Sequence, residues 1–108
     1  MRPADLPEPP YYAVVFASTR TPGDNGYEET AERMAELGAK QPGFLGIDTA
    51  RGPDGFGITV SYWRDEESIA AWRRDAEHTL ARKRGHDTWY ESVAVHVAKV
   101  ERRYGFTD

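Results

Sequence analysis

Apolar positions along the chain recur with two periods, and the switches between them mark the elements. Tyr11 to Thr19 (YYAVVFAST) is dense in aromatic and β-branched residues and reads as a first strand. Both of its alternating sets, Tyr11/Ala13/Val15/Ala17 and Tyr12/Val14/Phe16, are apolar, unlike a strand with one wet face. The turn cluster Thr21 to Gly26 leads into a helix, with Asn25 as the expected N-cap and Glu28 completing a capping box. Tyr27, Ala31, Met34, Ala35 and Gly38 then recur at helical spacing, while Glu28, Glu29, Glu32, Arg33, Glu36 and Lys40 take the other faces. Pro42-Gly43 stops the helix. Phe44 to Thr49 forms a second strand, Arg51 to Gly55 a hairpin loop, and Phe56 to Trp63 a third strand.

Asp65 suits the N-cap of a second helix, with Glu66 and Glu67 in its first turn. Ile69, Trp72, Ala76 and Leu80 fall on one stripe, expected to be buried, with a bend allowed near Asp75–Glu77. Arg82, Lys83 and Arg84 suit the negative end of the dipole, and Gly85 suits the C′ position. Trp89 to Val100 (WYESVAVHVAKV) is the last strand, with an extension towards Arg103 left open. The order β-α-β-β-α-β predicts an α+β, ferredoxin-like fold with a four-stranded antiparallel sheet and both helices on one face. Residues 11–106 are expected to form a single domain. Residues 1–10, with Pro3, Pro7, Pro9 and Pro10, are expected to be a flexible arm. The second sheet face is apolar too, and no chain remains to cover it. A homodimer packing sheet against sheet is the simplest answer.

Composition narrows the partners. The 108 residues carry 14 Lys+Arg against 18 Asp+Glu, a formal charge of -4, which argues against nucleic acid. Arg73, Arg74, Arg82, Lys83 and Arg84 cluster, but as the basic end of a solvated helix. Cysteine is absent, which removes disulfides, thiolate nucleophiles and cysteine-zinc sites together. No apolar run approaches transmembrane length, and Met1 to Pro10 holds no signal-type apolar segment, so no membrane partner and a cytoplasmic location are expected.

Several segments look familiar once this topology is in place. YYAVVFASTRT, QPGFLG, GITVSYWRDEESIAAW and WYESVAVHVAKVERRYGF resemble the antibiotic biosynthesis monooxygenase (ABM) domain family, over about residues 11 to 106. QPGFLG, and SYW followed nine residues after Trp63 by Trp72, are the more specific parts. The resemblance implies a dimeric α+β barrel. It implies several activities: oxidation of aromatic polyketides or quinols without metal or flavin, haem degradation, or none assigned. The haem-degrading branch uses an Asn on the first strand, a Trp on the second helix and a His farther along. Trp72 matches the Trp, but Ser18 and Thr19 stand where the Asn would be, Arg82 falls near the third position, and His78 comes four residues too early.

Oxygenation without a cofactor needs a substrate that can itself give an electron to dioxygen, a dry pocket, and a base or donor for the substrate anion. Trp63 and Trp72 flank the strand-to-helix corner, as walls for a flat substrate or simply as core. Phe16 and Tyr62 are further candidate substrate contacts, although Tyr62 alternates with Trp63 and so points to the opposite face. His78 is a candidate base or anion stabiliser, or an ordinary helix histidine; its spacing from Trp72 sets it off that residue's face. His96, between small residues in VAVHVAKV, is the second candidate catalytic group, or a structurally satisfied imidazole. No histidines stand at metal-ligand spacing and no flavin or phosphate-loop fingerprint occurs, so no metal and no cofactor are expected. A small oxygenase acting on an aromatic or quinol-like molecule is the leading reading. A non-catalytic domain binding a small apolar molecule is the alternative.

Overall fold

The computed structural model describes residues 2–107, apart from the side chain of Ala76. Its elements run β1 (Tyr11–Arg20), α1 (Tyr27–Ala39), β2 (Phe44–Arg51), β3 (Phe56–Trp63), α2 (Glu66–Arg74), α3 (Ala76–Arg84), a π-helical turn (Gly85–Trp89) and β4 (Tyr90–Val100). The strands form one antiparallel sheet in the order β2-β3-β1-β4, the expected α+β ferredoxin-like arrangement.

Register fixes which residues share a side of the sheet. Tyr12, Val14, Phe16 and Ser18 stand opposite Trp63, Ser61, Thr59 and Gly57 on β3, and opposite Lys99, Val97, Val95 and Val93 on β4. Trp63 stacks on Trp72 of α2, so this is the side the helices cover. The other, bare side carries Tyr11, Ala13, Val15 and Ala17, with Tyr62, Val60 and Ile58 on β3 and Ala98, His96 and Ala94 on β4. Both sides of β1 are therefore apolar, as its two alternating sets required. Residues 2–10 form no helix or strand and lie against one end of the bare side. The Ala4 amide donates to Asp48 Oδ1 at 2.8 Å, Ala4 and Leu6 press on Gly46, and Glu8 pairs with Arg103 at 3.5 Å.

Three local details differ from the sequence pattern. The cap of α1 is Gly26, in the left-handed region at φ 85°, and the Asp24 carboxylate accepts from the Gly26 and Glu28 amides at 3.0 and 3.1 Å. Asn25 therefore does not cap the helix, because Asp24 reaches the free amides first. The inward face of α1 is Tyr27, Thr30, Met34, Leu37 and Gly38, while Ala31 and Ala35 are exposed. Gly85 has right-handed backbone angles and passes the chain into the π-helical turn, so β4 starts at Tyr90 instead of Trp89. Tyr90 packs against Gly85, where a Cβ would lie 3.0 Å from its ring.

Gly43 links α1 to the rest. Its φ is +86°, its carbonyl accepts from the Arg64 amide at 2.8 Å, and a Cβ there would fall on the Ser68 side chain, 2.6 Å from Ser68 Cβ. Gly43→Ala is expected to cost about 1–3 kcal/mol, from the strained φ together with the clash. Thermal unfolding measures it, and Gly105→Ala, where nothing lies within 4 Å, should leave the midpoint unchanged.

Candidate active site

Three rings meet where β3 enters α2. Trp63, 1% exposed, stacks on Trp72 with centroids 6.5 Å apart and planes 26° off parallel. Trp72 stacks on His78 at 4.1 Å and 8°. Phe44 meets Trp63 edge-on at 5.4 Å, and the Trp63 indole N–H donates to Ser61 Oγ at 2.9 Å. Gly38 of α1 makes room for the group, since a Cβ there would already touch Trp72 Cζ2 at 3.4 Å. The sequence therefore needs a small residue in α1 and a short loop from β3 to α2.

His78 reaches Trp72 because the helix breaks between them. Around an unbroken helix, a residue six positions on lies roughly 120° from the first. Asp75 instead leaves the helical region, with φ -55° and ψ 130°, and caps α3 by accepting from the His78 amide at 3.0 Å. The break frees carbonyls at the end of α2, and side chains beyond it take them up. His78 Nδ1 lies 3.0 Å from Trp72 O, and Thr79 Oγ1 and Arg82 Nη2 donate to Arg73 O at 3.2 and 3.1 Å. Spacing alone had set His78 away from Trp72; the break reverses that. It also removes Leu80 from the expected buried stripe, leaving it 65% exposed, while the Ala76 side chain lies outside the described residues.

A carbonyl oxygen only accepts, so His78 Nδ1 carries the proton and Nε2 the lone pair. Among the described residues Nε2 has no hydrogen-bond partner, and no buried side-chain nitrogen or oxygen lacks one. Nε2 is therefore not fully buried. Burial lowers the His78 pKa below its ordinary value, aided by the Arg82 and Arg73 charges and opposed by the Trp72 carbonyl and Asp75.

The helices do not close the whole of their side. Val14, Phe16, Thr59 and Ser61 are half-buried there, whereas Val93, Val95 and Val97 on the β4 flank are 46%, 44% and 52% exposed. This leaves an apolar shelf along β4, while the Thr49–Thr59 pair at 2.6 Å lies at the other flank, across β1.

Phe16 lies on this same side, opposite Thr59 in the register and four residues along the strand from the Tyr12–Trp63 pair, roughly 13 Å away. It meets Tyr90 edge-on at 5.4 Å, and Tyr90 donates to the Tyr27 hydroxyl at 3.3 Å. Burial and that bond raise the Tyr90 pKa well above its ordinary value. Arg51 donates to Ser18 Oγ at 2.8 Å, which occupies that hydroxyl. The sequence reading had missed Tyr27, Tyr90, Arg51 and Ser61. Strand parity from Trp63 would have found Ser61, but the Tyr90 environment depends on the π-helical turn.

Tyr62 and His96 face the bare side. Tyr62 meets Tyr11 edge-on at 5.9 Å and donates to Asp48 Oδ2 at 3.3 Å, and burial with the Asp48 charge raises its pKa. His96 stands opposite Val15 on the exposed strand β4. The structure thus brings together Trp63, Trp72 and His78, sets Phe16 farther along the same side, and separates Tyr62 and His96 from them. Among the described residues no group of three His, Asp or Glu side chains could hold a metal ion.

Comparison with known proteins bears on what this arrangement is. Residues 10–84 match the family model described as antibiotic biosynthesis monooxygenase. The uncharacterized protein YqjZ of Bacillus subtilis is 55% identical over 102 residues, 94% of this chain and 90% of YqjZ. Among solved structures, Rv0793 from Mycobacterium tuberculosis superposes with a TM-score of 0.76 at 14% identity, over 88% of this chain and 99% of its own. SnoaB, a cofactor-independent oxygenase from Streptomyces nogalater, superposes with a TM-score of 0.70 at 15% identity, over 93% and 100%. With a family model spanning most of its length and a relative more than half identical, this chain belongs to the antibiotic biosynthesis monooxygenase family.

Proposed function

We propose that the chain is a monooxygenase that oxidises a flat aromatic or quinol-like molecule with dioxygen and no bound cofactor, on the helix side of its sheet. The observation that carries this reading is an imidazole nitrogen, His78 Nε2, left without a hydrogen-bond partner among the described residues and set beside two stacked indoles. Family membership and the fold shared with SnoaB lend it support. The β4 shelf of Val93, Val95 and Val97 offers apolar surface for the rest of a flat ligand.

In this reading the Nε2 lone pair takes a proton from the substrate hydroxyl, and the resulting anion is rich enough to pass an electron to dioxygen. The substrate supplies all four electrons that dioxygen takes up: two leave with two hydrogens as water, and two go into the carbon–oxygen bond to the inserted oxygen atom. The protein orients the ring, excludes water and holds the proton on His78.

The bare side completes the proposal. Its apolar row runs from Val15 and Ala17 to Ala94 and Ala98, with Ile58 and Phe56 43% and 47% exposed. A second copy packing there would bury this row, with residues 2–10 at its edge. His96 then belongs to the interface and not to the reacting centre.

Oxygen uptake on a panel of quinols and hydroxylated polyaromatics tests the reaction. At least one substrate is expected to consume oxygen faster with protein, His78→Ala to lower that rate by about 10²-fold or more, and His96→Ala to keep it within a few-fold. A panel with no protein-dependent uptake, or a His78→Ala protein as fast as the parent, contradicts the proposal. The imidazole also sets an acid limit. Because its folded pKa lies below the ordinary 6.5, the unfolded chain binds the proton first as pH falls. Stability from this group is whole above about pH 6.5 and declines below it. The melting temperature is expected to drop between about pH 7.5 and 5.5, and to drop less in His78→Gln.

A further inference from the structure

We infer that Asp75 is a positioning residue: the helix break it caps carries His78 onto Trp72 and fixes the neutral imidazole with its proton on Nδ1 and its basic lone pair on Nε2. The inference rests on the proposed role of His78 and says how the chain builds that base.

Four observations converge on Asp75. Its backbone leaves the helical region at ψ 130°. Its carboxylate accepts from the His78 amide at 3.0 Å, so it holds the residue it positions. Its carbonyl accepts from the Thr79 amide at 2.8 Å and starts α3, while its own amide donates to Trp72 O at 3.1 Å. That same Trp72 carbonyl takes the Nδ1 proton. The carbonyl is free for His78 because Ala76, at i+4, does not continue α2.

Sequence chemistry explains why residue 75 decides this. Asp is a poor residue inside a helix and a strong one at its start, so the break and the cap favour each other. Ala has the opposite preferences. With Ala at 75, residues 66–84 gain from running as one helix, which moves His78 roughly 120° away from Trp72. The ring then loses both its stacking partner and its carbonyl acceptor. A neutral imidazole without that acceptor populates both tautomers, and only part of the population keeps Nε2 unprotonated. The charged groups around the ring are Asp75, Arg73 and Arg82, and none of them meets Nε2 in a hydrogen bond.

Nitrogen-15 NMR of the histidine rings near pH 8 reads the tautomer directly, with a short histidine-containing peptide as the solvated reference. In the full wild-type chain, His78 is expected in the Nδ1–H form alone, while the peptide shows the mixture of a solvated ring. Asp75→Ala is expected to shift His78 towards the peptide pattern. Asp75→Asn, which still caps, is expected to keep the wild-type form. Asp65→Ala is the control: it removes the equivalent cap of α2, where Asp65 accepts from the Ser68 amide at 2.8 Å. It should lower the melting temperature and leave the His78 tautomer alone, so a merely structural effect is set apart from positioning. A mixed or Nε2–H wild-type His78 overturns the inference, and so does an Asp75→Ala spectrum identical to wild type. The wild-type spectrum decides by itself if Asp75→Ala does not fold. Failure of the oxygen assay with the Nδ1–H form intact removes the reaction and leaves the geometry standing.

Discussion

Three helices of 13, 9 and 9 residues must cover a sheet of four strands, and they cover one side of it incompletely. That shortage shapes the rest of the molecule. On the helix side, packing is dense only at the ends, around Trp63 and Trp72 and around Tyr27, Trp89 and Tyr90. Between them the β4 valines remain half open. On the bare side, residues 2–10 reach one end, and the remaining apolar row is left for another surface. Water on both faces of so apolar a sheet is costly, at about 25 cal/mol for each Å² left exposed. The account assigns a substrate to the first gap and a second copy to the other.

The proposed chemistry on the helix side hinges on one ring in an unusual place. An imidazole stacked on an indole at 4.1 Å is half desolvated, and its backbone acceptor fixes where the proton sits. Neither effect needs a carboxylate partner. In the proposed reaction the group that orients the base is the Trp72 carbonyl, which a helix break leaves able to accept from His78 as well as from the Asp75 amide. Hydroxyls elsewhere on this side are engaged: Ser18 with Arg51, Ser61 with Trp63, Thr49 with Thr59. His78 differs from them in keeping a nitrogen unengaged.

Much of this was legible from residues alone. Strand parity placed Trp63 and Tyr62 on opposite sides, and the doubly apolar first strand required cover on both faces. Trp72 was visible from its spacing to Trp63 within the resembling segment, though its value as core or wall was open. What escaped was whatever depends on a break in regularity. Asp75 looked like a helix residue with a bend allowed nearby, so His78 was set off the Trp72 face and Leu80 was wrongly placed on it. Asn25 and Asp24 are both good caps, and only the backbone at Gly26 decides between them. Gly85 seemed a helix stop because its usual left-handed role was assumed, whereas here it leads into a wider turn and packs beneath Tyr90. Local sequence reports preferences; which of two near-equal preferences wins is set by contacts many residues away.

The division of the sheet into a reacting side and a self-associating side is tested most directly by sedimentation equilibrium on the wild type and on Ile58→Glu, whose side chain stands on the bare side opposite Ala17. The account predicts a particle of twice 12.2 kDa for the wild type and a folded monomer for the variant. A wild type that stays a folded 12.2 kDa monomer at high concentration, or a variant that associates as before, would contradict it.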